Sequence, residues 1–203
     1  KEKGSSPLVV YEESKPIGII SVSDRIRPSA NDTVKKLKEA GIKHIGILSG
    51  DHEKSVKLVA EEAGLTDIWS DLKPQDKLRI IETYQSEGKK VIFVGDGIND
   101  GPALAGANTG IAMGAAGTDV ALETADIALM KDDISRLPFL IKLSRKTLQR
   151  IKWNIAFGMF FNGLAVIAGG CGLLSPVMGA VVHNIGSVIV VISSASLMFT
   201  GEK

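Results

Sequence analysis

The sequence predicts an α/β domain with a doubly wound parallel sheet, followed by a hairpin of two transmembrane helices. Between residues 45 and 129, short apolar runs alternate with amphipathic segments, and the runs end in glycine or polar residues. Alternating units of this length imply parallel strands with a site at their carboxyl ends. Between Lys152 and Glu202 only His183 among the acidic and basic side chains can carry a charge. Water-soluble domains rarely contain such a gap, so we expect a soluble part and a membrane part.

The overall composition excludes several classes of function. A formal net charge of +1 over 203 residues leaves no basic footprint for nucleic acid. The single cysteine, Cys171, excludes an internal disulfide and a cysteine zinc cluster, and its apolar surroundings favour a packed thiol. The chain begins with Lys1 and has no apolar signal segment, so we expect it to be a piece of a longer protein.

The first part of the chain is predicted to form strands and then a helix. Residues 8–11 and 16–22 are rich in β-forming side chains and are separated by a polar turn. A loop follows at residues 24–28. The next segment, 31–40, has helical spacing and is followed by Gly41, a typical helix stop.

Candidate phosphate-binding residues follow the strand predicted at 45–48. This strand leads directly into Ser49, Gly50 and Asp51, and a helix is predicted to begin just after them. Backbone N–H groups at a helix start bind anions, and the Ser49 hydroxyl can add a donor to a phosphate oxygen. Further on, Lys77 lies in the helix that begins near residue 74. Such a lysine either faces solvent or neutralises charge on a transferring phosphoryl group.

The strongest signal is the stretch VGDGINDGPAL at residues 94–104, which follows a short apolar strand. Glycines on both sides of Asp96 let the chain turn sharply and present this carboxylate at the strand tip. Asn99 and Asp100 then begin a short helix. Two carboxylates four residues apart at the end of a buried strand suit Mg²⁺, which points to phosphoryl chemistry. An ordinary glycine-rich turn with solvated acids is the alternative.

The C-terminal part is predicted to be helical. Two more strands, 109–114 and 125–129, precede a helical pattern whose later half is basic. Its basic residues are Lys142, Arg145, Lys146, Arg150 and Lys152. This charge suits a stalk entering the bilayer from the cytoplasmic side. Two glycine-rich apolar spans follow, each near the length of about 20 residues that crosses a bilayer. A buried helical hairpin of a soluble protein is the alternative.

Together these motifs resemble those of the P-type ATPases, ion pumps that carry a phosphorylated aspartate. Their GDGxNDxPAL, TGD and P-x-x-K motifs match residues 95–104, 49–51 and 74–77, with Ser49 for threonine and Gly101 where many members have alanine. Residues 24–27 resemble their D-x-x-R hinge signature, and the phrases at 117–121 and 123–126 match as well.

The resemblance implies a haloacid-dehalogenase-like phosphorylation domain that uses ATP and Mg²⁺. The residues it places in catalysis are Ser49, Gly50, Asp51, Lys77 and Asn99, and those that hold Mg²⁺ are Asp96 and Asp100. It implies the end of a nucleotide-binding domain and a return strand at 1–23, and the phosphorylation domain at 24–132. A stalk helix is implied at 133–152 and two transmembrane helices at 153–201. The expected location is the cell membrane, with several crossings and a cytoplasmic phosphorylation domain. The expected partners are the lipid bilayer, ATP, a transition-metal ion and the upstream part of the pump.

Within the family, two spans after the phosphorylation domain are typical of the metal-transporting subclass. The candidate ligands for the transported ion are Asn162, His183 and Ser187. Neutral imidazole with amide and hydroxyl oxygens suits a borderline divalent ion better than Cu(I), so we expect zinc, cobalt or cadmium. The string around His183 is nearer that of cobalt and zinc pumps, but Asn184 departs from their glutamate. A lone intramembrane histidine could instead bond a neighbouring helix.

The pumps transfer phosphate to the aspartate of a DKTGT sequence, and that string does not occur in these 203 residues. We therefore expect the chain to be inactive alone and to act within a longer protein. Two alternatives remain open from the sequence. One is a haloacid-dehalogenase-like phosphatase, which would need its own DxDx(T/V) nucleophile strand. The other is a membrane-anchored, non-catalytic remnant that binds Mg²⁺ or phosphate.

Overall fold

The computed structural model describes residues 6–22, 26–96, 99–114 and 123–199 of the chain. It divides into two compact units, Lys1–Leu137 and Pro138–Lys203, and each is described by itself. The hinge residues Asp24 and Arg25 and the phrase at 117–121 lie outside the described residues.

The first unit opens with an antiparallel hairpin. Strand β1 (Ser6–Glu12) pairs with strand β2 (Lys15–Val22), and Glu12 lies opposite Lys15. The two residues between them, Glu13 and Ser14, both have positive φ angles, 43° and 73°. Positive φ at both central positions is the geometry that joins two twisted strands most directly, so the predicted turn is confirmed.

The middle of this unit alternates helices with short strands. The elements are α1 (Ala30–Glu39), β3 (Gly46–Leu48), α2 (Glu53–Ala63), β4 (Asp67–Trp69) and α3 (Pro74–Ser86). Strands β3 and β4 pair in parallel, with Ile47 opposite Ile68. Each helix ends near a left-handed glycine, as the sequence predicts: Gly41, Gly64 and Gly88 have φ angles of 83°, 72° and 77°.

A second parallel ladder completes the unit. Strand β5 (Ile92–Gly95) leads into α4 (Gly101–Gly106), and β6 (Thr109–Met113) and β7 (Ile127–Leu129) follow in the order β5-β6-β7. The buried cluster beside this ladder comprises Ile81, Phe93, Ala103, Leu104 and Ala112. Leu104 is 1% exposed, and burial of a leucine side chain contributes about 1.5–3 kcal/mol. This packing fixes α3 and α4 against the strands that carry the site.

The predicted α/β class with parallel strands is confirmed, and the structure adds a detail of strand order. Among the described strands, β3-β4 and β5-β6-β7 are separate ladders. Within these ladders β3 bonds only to β4 and β5 bonds only to β6. Each therefore has one edge whose backbone groups are unpaired by any described strand, and these two strands lead into the predicted site loops.

The second unit is a helical hairpin. After a turn of 3-10 helix at Ile134–Arg136, helix α5 runs from Leu137 to Gly170 without a break. Helix α6 (Pro176–Ala195) returns and ends in a 3-10 turn at Ser196–Phe199. Between the helices, Gly172 has a φ of 75°, and the Ser175 Oγ accepts a hydrogen bond from the Met178 N–H at the start of α6.

Both helices of the hairpin are candidate membrane spans. The segments Ile134–Gly170 and Pro176–Phe199 have mean hydropathies of 1.4 and 1.8, and 0% and 6% of their most apolar windows are buried. A core helix of a soluble protein would be mostly covered by other elements. The low burial of these apolar helices therefore argues against the alternative of a buried soluble hairpin.

Candidate functional site

The predicted site residues of the α/β unit lie at the carboxyl ends of β3, β4 and β5, on the loops and helix starts that follow these strands. The loop after β3 is joined to the loop after β4 by two backbone bonds, from the Asp71 N–H to the Asp51 carbonyl (2.9 Å) and from the Leu72 N–H to the Ser49 carbonyl (3.1 Å). Parallel strands place their carboxyl ends at one edge of the sheet, so this arrangement is the one expected for an open α/β site.

Ser49 and Asp51 form a local hydrogen-bonded turn. The Ser49 hydroxyl donates to Asp51 Oδ2 at 2.8 Å and accepts from the Asp51 N–H at 3.1 Å. A Cβ on Gly50 would lie 3.1 Å from the Leu72 carbonyl oxygen, closer than most such contacts. The small residue thus lets the two loops meet. Both the hydroxyl and the carboxylate are held at the carboxyl end of β3, where the sequence predicts a phosphate-binding turn.

Lys77 and Asp100 meet although 23 residues separate them. Lys77, in the first turns of α3, places its Nζ 2.6 Å from Asp100 Oδ1, just before α4, and each side chain is 13% exposed. Mutual neutralisation lets both charges stay largely away from water, where either alone would be costly. From the sequence these residues have separate expected roles, Lys77 in phosphoryl contact and Asp100 in binding Mg²⁺. The available signal for their contact is that each lies at the N-terminus of a helix, and that α3 packs against α4.

Gly95 makes room for this ion pair. A Cβ on Gly95 would lie 2.5 Å from Asp100 Oδ2 and 2.8 Å from Asp100 Cβ. The end of β5 therefore passes directly over the carboxylate, and an alanine here would have to push it aside. The glycine of the GDG string is needed for this close approach as well as for the sharp turn.

Asp96 and Asn99 lie at the tip of the same loop. Asp96 follows β5 directly, and both side chains are exposed. Mg²⁺ is commonly held by one or two carboxylates together with waters and substrate phosphates. No group of three or more His, Cys, Asp or Glu side chains with metal-binding geometry occurs in the described residues. An exposed Asp96, four residues before the Asp100 that Lys77 contacts, fits such a partly solvated Mg²⁺ site better than a closed protein cage.

Two further pairs connect loops in this unit. His52 Nδ1 lies 2.7 Å from Asp71 Oδ1, and Asp71 has a φ of 54°, a left-handed conformation that aspartate tolerates better than most residues. Arg27, from the predicted hinge signature, donates to Asp132 Oδ1 at 2.6 Å and to the Asp132 carbonyl at 2.9 Å. Neither the His52–Asp71 pair nor the Arg27–Asp132 pair was identified from the sequence, because nothing in the local pattern indicates contacts over such separations.

The second predicted site lies within the hairpin. His183 on α6 contacts Asn162 on α5, with 3.1 Å between Nδ1 and Oδ1. In the neutral tautomer that donates from Nδ1 to this amide oxygen, Nε2 keeps the lone pair through which imidazole binds metals. Ser187 takes part differently, since its hydroxyl donates to the His183 carbonyl at 3.2 Å. The structure therefore brings Asn162 to the imidazole and Ser187 to the backbone of the same residue.

A close helix approach supports this contact. A Cβ on Gly186 would lie 2.7 Å from Phe161 Cδ1, so α5 and α6 meet one helical turn from His183. Asn184 borders a shallow groove with apolar side chains of its own helix, Val181, Ile185, Val188 and Ile189. Asn184 therefore lies on a different face of α6 from His183, which contacts Asn162.

Comparison with known proteins identifies relatives over the whole length of the chain. The model of the haloacid dehalogenase-like hydrolase family matches residues 2–108. A zinc-exporting P-type ATPase of Mycobacterium marinum is 42% identical over 198 residues, which is 98% of this chain and 27% of that protein. A cadmium-transporting ATPase of Staphylococcus aureus is 42% identical over 204 residues, with 100% and 28% covered. A manganese-exporting P-type ATPase of Mycobacterium leprae is 41% identical over 198 residues, with 98% and 27% covered.

Solved structures agree with these relatives. A zinc-transporting PIB-type ATPase in the E2.Pi state superposes with a TM-score of 0.81 at 33% identity and covers 96% of this chain and 32% of its own. A catalytic CPx-ATPase domain gives a TM-score of 0.55 at 43% identity, with 66% and 53% covered. The chain thus spans only about a quarter of the length of the curated relatives described above, 27 to 28%.

Proposed function

The chain belongs to the haloacid dehalogenase-like hydrolase family and is a segment of a metal-transporting P-type ATPase, and from this premise we propose that it works in an ATP-driven exporter of divalent transition-metal ions. Since it spans about a quarter of its relatives, the activity is proposed for the whole protein and not for these 203 residues alone. The two candidate spans and the P-type ATPase relatives support a location in the cell membrane, with the α/β unit in the cytoplasm.

The observation that carries the proposal is the largely shielded Lys77–Asp100 pair at the end of the strand that delivers Asp96. Phosphoryl transfer needs positive charge near the transferring group and a metal-binding carboxylate, both held in place before the reaction. Lys77, fixed by Asp100, would supply the charge. Asp96, with Asp100 beside it, would hold Mg²⁺, which neutralises phosphate oxygens when bound. The Ser49 hydroxyl and the backbone of Gly50 and Asp51 would orient the phosphoryl oxygens.

The carboxylate that accepts the phosphoryl group would lie outside these 203 residues. A carboxylate oxygen would attack the γ-phosphorus of ATP, the bond to the bridging oxygen would break, and ADP would leave with that electron pair. We expect this carboxylate on a strand that enters between β3 and β5. In support, these two strands have unpaired edges among the described strands, and both lead into site loops. Such a strand would bring its own carboxyl end between Ser49 and Asp96.

For the transported ion, we propose that His183 and Asn162 contribute ligands within the hairpin, and that Ser187 adds an oxygen after a change of rotamer. In support, the contact between His183 Nδ1 and Asn162 Oδ1 leaves the second ring nitrogen, Nε2, outside that hydrogen bond, and an imidazole nitrogen is a ligand that suits divalent zinc, cobalt or cadmium. Relatives named for zinc, manganese and cadmium favour a divalent ion but do not select one of them.

The test compares the chain with the longer protein that contains the DKTGT aspartate. Incubated with γ-labelled ATP and quenched in acid, the longer protein should carry a hydroxylamine-sensitive label and the 203-residue chain should carry none. Label on the short chain would refute the assignment of the nucleophile to another segment. Metal-independent hydrolysis of a phosphate monoester by the short chain, with no label, would instead favour the phosphatase alternative.

A further inference from the structure

The end of the hairpin remote from its turn, here called the open end, carries side chains that join α5 to α6. Asn154 on α5 uses both ends of its side-chain amide. Its Oδ1 accepts a hydrogen bond from Ser193 Oγ at 2.9 Å, and its Nδ2 donates to Ser194 Oγ at 2.9 Å. Ser193 Oγ also accepts from Arg150 Nη1 at 3.2 Å. Asn154, Ser193 and Ser194, the polar cluster, thus fix two neighbouring residues of α6 to one residue of α5.

The polar cluster lies on the face along which the two helices pack. Partly shielded residues recur every three or four positions, so they form one stripe on each helix. On α5 the stripe includes residues 150, 154, 157 and 161. On α6 it includes residues 186, 190 and 193. A polar side chain on such a stripe favours one alignment of the helices, because other alignments leave its hydrogen-bonding groups without partners.

This alignment matters most in a bilayer. Apolar contacts between membrane helices gain little over contacts with lipid tails, whereas hydrogen bonds between the helices add a specific attraction. The two helices are apolar and little covered, since 0% and 6% of their most apolar windows are buried. The turn at residues 171–175 connects only one end of the hairpin. The alignment of the open end therefore depends on the contacts made there.

The candidate ion ligands lie between the polar cluster and the turn, where His183 contacts Asn162. On α6, eight residue steps separate Ser175 from His183 and ten separate His183 from Ser193, about 12 Å and 15 Å of helix. If the open end moved sideways about the turn, His183 would therefore move about 0.4 times as far. Metal sites hold their ligand distances to within about 0.2 Å, so a displacement of about 1 Å at the open end would disturb coordination.

We propose that Asn154, Ser193 and Ser194 are positioning residues for ion transport, which keep the open end closed and so hold His183 and Asn162 at coordinating distance from one ion. This inference rests on the proposed role of His183 and Asn162 as ion ligands. The alignment of the two helices, by contrast, can be measured without an ion. Loss of a group that orients a metal ligand typically lowers metal affinity about 10- to 100-fold, which sets the size of the expected effect.

Pulsed dipolar spectroscopy of the 203-residue chain in phosphatidylcholine bilayers measures the alignment. Spin labels are attached to Phe160→Cys and Ile185→Cys in a Cys171→Ser background. Residues 160 and 185 are 68% and 52% exposed, so the labels lie off the stripe. We expect a narrow distribution of distances between the labels. In Asn154→Leu it should become at least about twofold broader, because the open end loses both hydrogen bonds of the amide.

Two matched variants assign the broadening to the polar cluster. Gln149→Leu removes an exposed amide from the same region of α5 and should leave the distribution narrow. Asn154→Ser/Ser193→Asn exchanges the two partners, so an amide can again bond a hydroxyl across the helices. This exchange should restore the narrow distribution, which it would not do if Asn154→Leu had merely unfolded the hairpin.

The consequence for transport is measured in the longer protein, as the Zn²⁺ dependence of its ATPase activity. In Asn154→Leu the Zn²⁺ concentration for half-maximal stimulation should rise by about tenfold or more. Phosphorylation from inorganic phosphate without metal should stay unchanged. Asn154→Ser/Ser193→Asn should recover the original Zn²⁺ concentration, and Gln149→Leu should keep it.

The two measurements separate this inference from the proposed function. An unchanged distance distribution in Asn154→Leu, or an unchanged half-maximal Zn²⁺ concentration, would overturn the positioning role. Full metal stimulation of His183→Ala would instead refute the ion ligands on which that role rests, whatever the spin labels show.

Discussion

Lys77 Nζ and Asp100 Oδ1 are 2.6 Å apart beneath the carboxyl end of β5, and both side chains are largely shielded from water. This single pair connects α3, α4 and the strand that presents Asp96. It therefore links the stability of the unit to the placement of its reactive groups, and the two effects can be separated by experiment.

The first prediction concerns stability. Lys77→Met leaves the Asp100 carboxylate shielded and uncompensated, so we expect the free energy of unfolding to fall by about 3 kcal/mol. Lys77→Met/Asp100→Asn also removes the uncompensated carboxylate, so it should recover most of the lost free energy of unfolding. Urea titration of the chain, followed by Trp69 fluorescence in a Trp153→Phe background, measures each value. Additive losses in the double variant would show that the two side chains are not coupled.

The second prediction concerns Mg²⁺. In the complete protein, Asp96→Asn removes a charge that we propose binds Mg²⁺, and we expect phosphoenzyme formation to fall by about a hundredfold or more. Titration with Mg²⁺ under single-turnover conditions is the measurement. Asp76→Asn is a suitable comparison, because that carboxylate accepts the Lys73 N–H at the start of α3 and lies outside the proposed metal site. Near-normal labelling of Asp96→Asn at limiting Mg²⁺ would show that this aspartate shapes the turn and does not bind the metal.

The third prediction concerns the transported ion. His183→Ala removes the imidazole that contacts Asn162, so Zn²⁺- or Co²⁺-stimulated ATPase activity of the complete protein should be lost. Phosphorylation from inorganic phosphate without metal should survive, since the residues of the α/β unit are unchanged. Ser187→Ala should have a smaller effect, because the hydroxyl bonds the His183 backbone and not its ring.

Two results would contradict that assignment. Full metal stimulation of His183→Ala would make the histidine a packing residue. Stimulation of the unmodified protein by Cu⁺, with no response to Zn²⁺ or Co²⁺, would reject a divalent substrate directly.

The family and the fold class could be predicted from the sequence because their signals are local. The glycine-rich string after an apolar strand predicted β5 and α4, and the acid-free stretch after Lys152 predicted the hairpin. The resemblance to metal-transporting P-type ATPases is confirmed by relatives at 41–42% identity over nearly the whole chain. The roles of individual site residues remain predictions. So do the boundaries of the four expected segments, 1–23, 24–132, 133–152 and 153–201.

Other features could not be predicted, because they depend on contacts between distant residues. Nothing in the spacing of Lys77 and Asp100 indicates that α3 and α4 bring them together, and the same holds for Arg27 and Asp132. Helical periodicity placed Ser187 beside His183 but could not choose between the ring and the backbone carbonyl as its partner. The separation of the strands into two ladders depends on which strands pair, and the sequence of an individual strand does not show its partners.

The open edges of β3 and β5 also bear on the order of events during synthesis. If a strand from a distant part of the polypeptide completes this sheet, the unit cannot finish folding until both parts have left the ribosome, and such non-local pairing is slow. Until then, two rows of unpaired amides and carbonyls are available to other chains. Both strands are short, three and four residues, which limits aggregation through their edges.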